Sequence, residues 1–193
     1  MDRPSPGMRV FLLLGVWFLT WPGGLAAQTF FPATEPGQVE LKTIPAGTLI
    51  KASGKGDYFG QDGSLFLRLF RFISARDVAM TTPVEAQVDN AAMFFWVGEK
   101  DREKARGANE GVEFVDRPAR EVASAGAKGS YSRENYLKTR TVLMAWLAGR
   151  GDLEPAGEPY AVFWNGPFTP WFAKRYEVHQ PVRRKAPAPG RGP

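Results

Sequence analysis

The sequence contains few of the residue types that perform catalysis or bind metals. Cysteine is absent, and His179 is the single histidine. The absence of cysteine therefore excludes disulfides, thiol nucleophiles and iron–sulfur ligation. With one histidine and no cysteine, the sequence also lacks the residues for a zinc site and for the usual catalytic triads. Acid–base catalysis by carboxylates remains an open hypothesis, because Glu85, Glu113 and Glu177 can converge in the folded chain.

His179 is the one candidate for an imidazole ligand to a metal. It lies in a segment, 175–182, whose pattern predicts a strand, and side chains two residues apart share one face of a strand. His179 therefore shares a face with Arg175 and Glu177, a set that indicates a surface facing solvent. We expect a surface histidine, and metal ligation is the alternative hypothesis.

The strongest apolar pattern lies between Ser64 and Ile73, where apolar residues recur at helical spacing. Their side chains cover an arc of roughly 160°, wider than the stripe of about 100° that one packing face requires. Either neighbouring strands cover the whole arc, or Phe66 and Phe70 line a cleft for a flat molecule. The arc consists of Leu65, Phe66, Leu69, Phe70, Phe72 and Ile73.

Arginines accompany both predicted helices. Arg68 and Arg71 lie beside the aromatic residues of the first helix and can donate charge-assisted hydrogen bonds to ligand carboxylates. On the second helix, Arg140 lies among apolar residues, where a guanidinium is rarely buried without a partner. We expect Arg140 to form an internal salt bridge or to extend to solvent, and a ligand carboxylate is the alternative.

Hydrophobic periodicity predicts the elements that position these residues. Both halves of the chain show the same order of extended segments, one helix and two strands. The first half comprises strands 39–44 and 48–52, the helix 64–73 and the hairpin strands 84–88 and 93–97. The second half, after a charged excursion over 99–109, comprises extended segments 112–115 and 121–125, a helix capped by Ser132 that runs to about Ala148, and strands 160–164 and 175–182.

This order predicts an α+β domain with a pseudo-twofold strand–helix–strand–strand repeat. Its two helices would pack on a distorted, barrel-like antiparallel sheet. The repeat rests on pattern, since the two halves share negligible sequence identity. Residues 39–182 form the predicted domain, and 28–38 form a linker that precedes it.

The two ends of the chain differ from the domain. Arg3 and Arg9 precede a dozen mostly apolar residues, a helix-breaking Pro-Gly-Gly and small residues before Gln28, which predicts a signal peptide over 1–27. The apolar stretch is shorter than a stable membrane span, so we expect an exported protein, periplasmic or secreted, and a leader retained as a membrane anchor is the alternative. Residues 183–193 are basic and rich in proline and glycine, which predicts a disordered tail.

The net charge of +5 comes from these ends, because residues 28–182 carry 19 Lys and Arg against 19 Asp and Glu. A nucleic-acid-binding domain needs a basic stripe on its folded surface to neutralise phosphates. We therefore expect a small-molecule partner and no nucleic acid. The sequence indicates no oligomeric state.

Two blocks of the sequence resemble a known family. The first is Leu69-Phe70-Arg71-Phe72-Ile73 followed by Val78-Ala79-Met80-Thr81-Thr82-Pro83-Val84, and the second is Tyr160 to Pro170 followed by Lys174-Arg175-Tyr176-Glu177-Val178. The first block is similar to the helix end and the Met-Thr-x-Pro-Val signature of SOUL heme-binding proteins. The second block is similar to the proline-rich hairpin and the terminal strand of the same family. The order and spacing also resemble that family, although His179 stands where its members often have tryptophan.

The resemblance implies a distorted barrel-like sheet with two helices outside, a fold shared with bacterial multidrug-sensing effector domains, and it implies tetrapyrrole binding. It favours Phe66, Phe70 and Arg71 as contacts of heme or another porphyrin. Arg68 and Lys174 complete the candidate set, and His179 is the candidate axial ligand of the iron.

Three functions follow as hypotheses. The first is noncatalytic binding of heme or another tetrapyrrole in an apolar cleft. The second is binding of other flat, amphipathic small molecules, as the shared fold of multidrug-sensing domains implies. The third is a hydrolase, which would require an ionised or pKa-shifted pocket carboxylate such as Glu85 or Glu177.

Overall fold

The computed structural model describes residues 28–107, 111–166 and 168–185. The predicted leader, 1–27, and the tail beyond residue 185 lie outside the described residues, so those two predictions remain predictions. Within the described ranges, no helix is long and apolar enough to cross a membrane.

Two long helices and one short helix accompany nine strands in the described part of the chain. The helices are α1 (Asp62–Ala75), α2 (Arg102–Ala105) and α3 (Arg133–Ala148). The strands are β1 (Val39–Ile44), β2 (Gly47–Ser53), β3 (Val84–Gln87), β4 (Ala92–Val97), β5 (Val112–Arg117), β6 (Arg120–Lys128), β7 (Leu153–Pro155), β8 (Tyr160–Phe163) and β9 (Arg175–Arg184).

Most of these elements occur where the periodicity places them. Ser132 caps α3 as predicted, because its hydroxyl accepts a hydrogen bond from the backbone N–H of Asn135. The sequence reasoning missed α2, a single turn within the charged excursion, and β7, a strand of three residues. Strand β9 also continues to Arg184, two residues into the predicted tail.

The main sheet is antiparallel and open. Its strand order is β1-β6-β9-β8-β3-β4-β2-β5, and β7 pairs with β9 outside this path. The predicted α+β class is therefore confirmed, although the sheet does not close into a barrel. Strands β1 and β5 form its two edges.

The strand order contains the predicted pseudo-twofold repeat. Strands β1, β2, β3 and β4 of the first half correspond to β5, β6, β8 and β9 of the second half. When each strand is replaced by its counterpart, the same strand order results, read in the opposite direction. The antiparallel β3–β8 pair lies at the centre, with α1 in one half and α3 in the other. The halves exchange strands, because the first strand of each pairs with the second strand of the other.

Both faces of the sheet are covered. One face packs against the helices, with Leu65 and Leu69 of α1 and Leu143 and Leu147 of α3 in the same buried cluster. The opposite face carries a second buried cluster. Strand β4 is buried at every position, because its alternating side chains enter both clusters.

The second face is covered by residues 28–38, which we call the N-terminal strap. Thr29 forms a bridge with Thr82 just before β3, and Pro36 forms a bridge with Gly126 of β6. Phe31, in between, is only 5% exposed. The segment predicted to be a linker is therefore packed on the sheet, and we call the surface beneath it the strap face.

Candidate functional site

An aromatic surface on α1 is only partly covered by the sheet. The rings of Phe66 and Phe70 stack nearly parallel, with 5.8 Å between centroids and 12° between planes. Phe66 also contacts Phe95 of β4 edge-on, whereas Phe70 is 43% exposed and Leu67 is 45% exposed. The interpretation that strands cover the whole arc is therefore wrong. We call Phe66, Leu67, Phe70 and Arg71 the aromatic face of α1.

The two arginines of α1 differ in whether their guanidinium groups already have a hydrogen-bond partner. Arg68 donates from Nη1 to the backbone carbonyl of Ser53 at 3.0 Å, at the end of β2. Arg71 is exposed and has no hydrogen-bond or ion-pair partner among the described residues. Arg71 is therefore the guanidinium on this face that is free to bind a ligand carboxylate.

Lys174 contacts the other half of the molecule. Its ammonium lies 4.9 Å from the ring centroid of Tyr131, which precedes α3. Phe66, Phe70 and Arg71 thus form one contiguous surface on α1, whereas Lys174 interacts with an aromatic ring next to the second long helix.

His179 is not a surface residue. Its side chain is fully buried on the strap face, as is that of Glu177 two residues earlier. The prediction that the two residues share one face of β9 was correct. The expectation that this face meets solvent was wrong, because the N-terminal strap covers it.

Both nitrogens of His179 are already engaged. Nε2 lies 2.5 Å from Oε2 of Glu177, and Nδ1 lies 3.1 Å from the hydroxyl of Tyr160. Burial lowers the pKa of His179, although the hydrogen bond that its imidazole donates to Glu177 opposes this. In this arrangement His179 has no nitrogen available for heme iron. The described residues also contain no group of three or more His, Cys, Asp or Glu side chains that could hold a metal.

Glu177 is the acceptor at the centre of the strap face. Its Oε1 accepts from the backbone N–H of Thr34 and from Nε1 of Trp164, both at 2.7 Å. Its Oε2 accepts from Lys42 at 2.7 Å and from Ser124 at 2.8 Å, besides His179. Burial alone would raise the pKa of Glu177, but the neighbouring His179 and Lys42 outweigh it and lower the pKa to about 2.

Glu85 forms a second buried centre on the same face. It is 1% exposed and accepts hydrogen bonds from Arg117 at 2.7 Å and from Arg120 at 2.8 Å. Nε1 of Trp96 donates to it as well, at 3.1 Å. Arg120 also donates to the hydroxyl of Tyr160, so one chain of hydrogen bonds links Glu85 to Glu177 through Arg120, Tyr160 and His179.

These contacts bear on the hydrolase hypothesis. Every carboxylate oxygen of Glu85 and Glu177 already accepts at least two hydrogen bonds, which leaves neither residue suited to take a proton from water. Glu113 lies apart on β5, where it is exposed and paired with Lys51. The three glutamates therefore do not converge on one pocket.

Arg140 has the carboxylate partner that its position predicts. Its Nη1 lies 3.7 Å from Oδ2 of Asp89, in the turn between β3 and β4. The arginine side chain is 35% exposed, so this is a salt bridge at the surface end of a partly buried stem.

The sequence reasoning missed the strap face as a polar centre. Glu85, Lys42, Arg117 and Arg120 lie on different strands, and no spacing in the sequence relates them. The available signal was the consecutive pair Phe30 and Phe31 in a segment otherwise typical of a linker. Phe30 stacks on Trp96 with 4.8 Å between ring centroids, so this pair is what covers the face.

The open antiparallel sheet with one long helix on each half defines an α+β domain with an internal pseudo-twofold repeat. The chain belongs to the SOUL heme-binding protein family, whose family model matches residues 29–181. No curated protein matches the chain in sequence.

Several solved structures share the fold at low sequence identity. The EcmrR chain in an EcmrR–DNA complex is 16% identical with a TM-score of 0.61, over 77% of this chain and 58% of that one. A Listeria innocua protein described as a hydrolase is 13% identical with a TM-score of 0.52, over 78% and 94% of the two chains. SAV2435 bound to tetraphenylphosphonium is 11% identical with a TM-score of 0.51, over 76% and 94%. The present chain thus spans less than two thirds of the EcmrR chain.

Proposed function

We propose that this protein binds heme or another tetrapyrrole without catalysing a reaction, and that the aromatic face of α1 is the binding surface. The observation that carries the proposal is the exposed ring of Phe70, which stacks nearly parallel on the partly buried Phe66. Arg71 lies beside this pair and has no partner among the described residues. Membership of the SOUL family supports the ligand class.

The residues of this surface fit the chemistry of a porphyrin. A flat apolar macrocycle can stack on Phe70 and cover Leu67, which removes apolar surface from water. Its propionates can accept charge-assisted hydrogen bonds from Arg71. Because His179 is buried and engaged, we propose that apolar contact and arginine–propionate pairing hold the ligand without an imidazole bond to the iron.

The test is a titration of the protein with hemin, followed by the Soret band, with metal-free protoporphyrin IX in parallel. We expect saturable one-to-one binding of both, weakened about tenfold by Phe70→Ala and several-fold by Arg71→Gln. Leu137→Ala, which changes an equally exposed apolar residue on α3, is the control and should bind as the unmodified protein does. Absence of saturable binding to either porphyrin would overturn the proposal.

A second candidate is the binding of other flat or amphipathic molecules on the same surface. It is favoured by the lack of any feature on the aromatic face of α1 that would require a metal. The solved SAV2435 complex contains the aromatic cation tetraphenylphosphonium, which makes this cation a useful competitor. Tetraphenylphosphonium can be tested for its ability to displace protoporphyrin IX from the unmodified protein and from Arg71→Gln. Equal displacement in both proteins would favour the second candidate over a tetrapyrrole-specific site.

We also propose that the protein is exported after removal of residues 1–27. Cleavage there would leave the strap complete, because Gln28 accepts from the N–H of Thr82 and Thr29 forms a bridge with the same residue. N-terminal sequencing of the protein purified from a cell envelope or culture medium tests this. A mature chain that still contains residues 1–27 would contradict cleavage.

A further inference from the structure

A groove of about 310 Å³ lies between α3 and the sheet, far along the chain from the aromatic face of α1. Helix α3 contributes Lys138, Thr139 and Val142 to its wall, and β6 contributes residues 125–128. The volume falls at the lower end of the range of small-molecule pockets. Nothing in the proposed tetrapyrrole site uses this groove.

The groove exists because β6 carries small side chains beneath α3. Alternation places Ala125 and Ala127 on the helix side of the strand, and neither has an atom beyond Cβ. On the opposite side, Gly126 lies against the strap, whose backbone turns at Gly37 and continues past Gln38 into β1. The space under α3 is therefore left open, while the other side of the same strand is tightly packed.

The lining of the groove is amphipathic. Val39 and Val142 provide apolar surface, and Val142 is 53% exposed. Lys128 and Lys138 are both exposed at the groove and have no ion-pair or hydrogen-bond partner among the described residues. None of the described residues that line it is acidic.

We propose that this groove binds a small amphipathic carboxylate, with the apolar part of the molecule against Val39, Ala127 and Val142 and the carboxylate at Lys128 and Lys138. Two ammonium groups beside an apolar wall, neither with a partner in the described part of the chain, select an anion over a cation or a neutral molecule. The small volume selects a single chain or ring and not a bulky ligand. This inference does not rest on the proposed function.

The pseudo-twofold repeat relates the helix that lines the groove to the helix that carries the aromatic face. Helix α3 corresponds to α1, so the groove and the aromatic face of α1 lie on corresponding helices of the two halves. The two surfaces differ in character, because α1 exposes phenylalanine and α3 exposes lysine and valine. The protein would therefore carry two different ligand sites on one repeated scaffold.

The experiment is isothermal titration calorimetry of the purified full chain with dodecanoate, kept below its critical micelle concentration, with dodecyltrimethylammonium as the cationic counterpart. We expect saturable one-to-one binding of dodecanoate and at least tenfold weaker binding of the cation. Replacing both lysines, Lys128→Gln with Lys138→Gln, should weaken dodecanoate about five- to tenfold.

Two variants test the groove itself. Ala127→Leu fills it from the sheet, and Val142→Trp fills it from an exposed position on α3 that tolerates substitution. Each should abolish dodecanoate binding while thermal unfolding stays cooperative. The matched controls are Leu137→Trp on another exposed side of α3, Lys55→Gln in the other half and Phe70→Ala, all of which should bind dodecanoate unchanged.

The proposal would be overturned by the absence of saturable dodecanoate binding, by equal binding of dodecyltrimethylammonium, or by unchanged binding in both Val142→Trp and the double lysine variant. Loss of dodecanoate binding in Phe70→Ala alone would also overturn it, because it would place the carboxylate on α1. The hemin titration is a separate measurement, so a negative result for one ligand does not overturn the proposal for the other.

Discussion

Nε2 of His179 lies 2.5 Å from Oε2 of Glu177, and both side chains are fully buried on the strap face of β9. The hydroxyl of Tyr160 accepts a hydrogen bond from Arg120 and lies 3.1 Å from Nδ1 of the same imidazole. Burial raises the pKa of Tyr160 well above its ordinary value, so the hydroxyl keeps its proton. Because the hydroxyl oxygen accepts from Arg120, this proton is available for a hydrogen bond to Nδ1 of His179. His179 is therefore a neutral imidazole that donates from Nε2 to an ionised Glu177.

The first prediction concerns the charge of His179. Because burial lowers its pKa below the ordinary 6.5, the imidazole should stay neutral and protonated at Nε2 as the pH falls below 6.5. Nitrogen chemical shifts of the imidazole report both properties, and the single histidine makes the assignment unambiguous. A normal titration midpoint near 6.5, or a proton on Nδ1 at neutral pH, would contradict the hydrogen-bond chain.

The sign of the resulting pH dependence follows from linkage. The unfolded chain takes up a proton on His179 near pH 6.5, whereas the folded chain takes it up only at lower pH. The contribution of His179 to stability is therefore fully present above pH 6.5 and declines as the pH falls below it. His179→Gln should flatten this part of the profile of unfolding free energy against pH.

The second prediction concerns Glu177 at more acidic pH. Its pKa is lowered from 4.5 to about 2, so the ionised carboxylate contributes stability above pH 4.5, and this contribution is lost between pH 4.5 and 2. The full effect is roughly 3 kcal/mol. Glu177→Gln should lower the unfolding free energy at pH 7 by about that amount and flatten its decline between pH 4.5 and 2, measured by urea unfolding.

A matched control for Glu177→Gln is available. Glu40 lies 4.0 Å from the same lysine, Lys42, but is 49% exposed. Exposed ion pairs contribute up to about 1 kcal/mol, so Glu40→Gln should change stability little and leave the acid profile intact. Equal losses in the two variants would show that burial of Glu177 does not determine its contribution.

The third prediction concerns the strap. Phe31 is 5% exposed and its ring contacts Trp96, Trp164 and His179 edge-on or tilted. Phe31→Ala should lower the unfolding free energy by about 3–5 kcal/mol, because it leaves a cavity over a buried charge network. Urea unfolding measures this change.

Phe172→Ala is the control for the strap variant, since Phe172 is 64% exposed and should change stability by less than about 0.5 kcal/mol. If Phe31→Ala were as mild as this control, residues 28–38 would be a linker, as the sequence pattern indicated.

Local patterns predicted the elements well for a physical reason. Apolar spacing in α1 and α3 and alternation in β4 and β9 are properties of a single segment, and each segment alone determines which of its side chains share a face. The matching order of elements in the two halves likewise exposed the pseudo-twofold repeat without any sequence identity. Pairing of β1 with β6 and of β5 with β2 was not predictable, because it depends on contacts between distant segments.

The candidate site was predicted less completely. Phe66 and Phe70 follow from the width of one helical arc, and the exposure of Phe70 shows that strands do not cover the whole arc. Arg71 follows from its position beside these rings and from the family resemblance, and its role stays a prediction. The burial of His179 could not be predicted from β9, because alternation identifies two faces but does not say what covers each. That information lies in the strap, more than 140 residues earlier in the sequence.

The last prediction concerns the point where the strap crosses β6. The backbone of Thr34 and Glu35 approaches Gly126 so closely that a Cβ there would lie 2.4 Å from the carbonyl oxygen of Thr34. Gly126→Ala should therefore displace the strap and destabilise the protein by about 1–3 kcal/mol. Limited proteolysis checks the displacement, and we expect faster cleavage within residues 28–37. Gly151→Ala, where a Cβ meets no atom within 4 Å, is the control and should be cleaved at the original rate. Unchanged proteolysis and stability in Gly126→Ala would mean that β6 accommodates the methyl group by moving, and that the strap does not depend on this close approach.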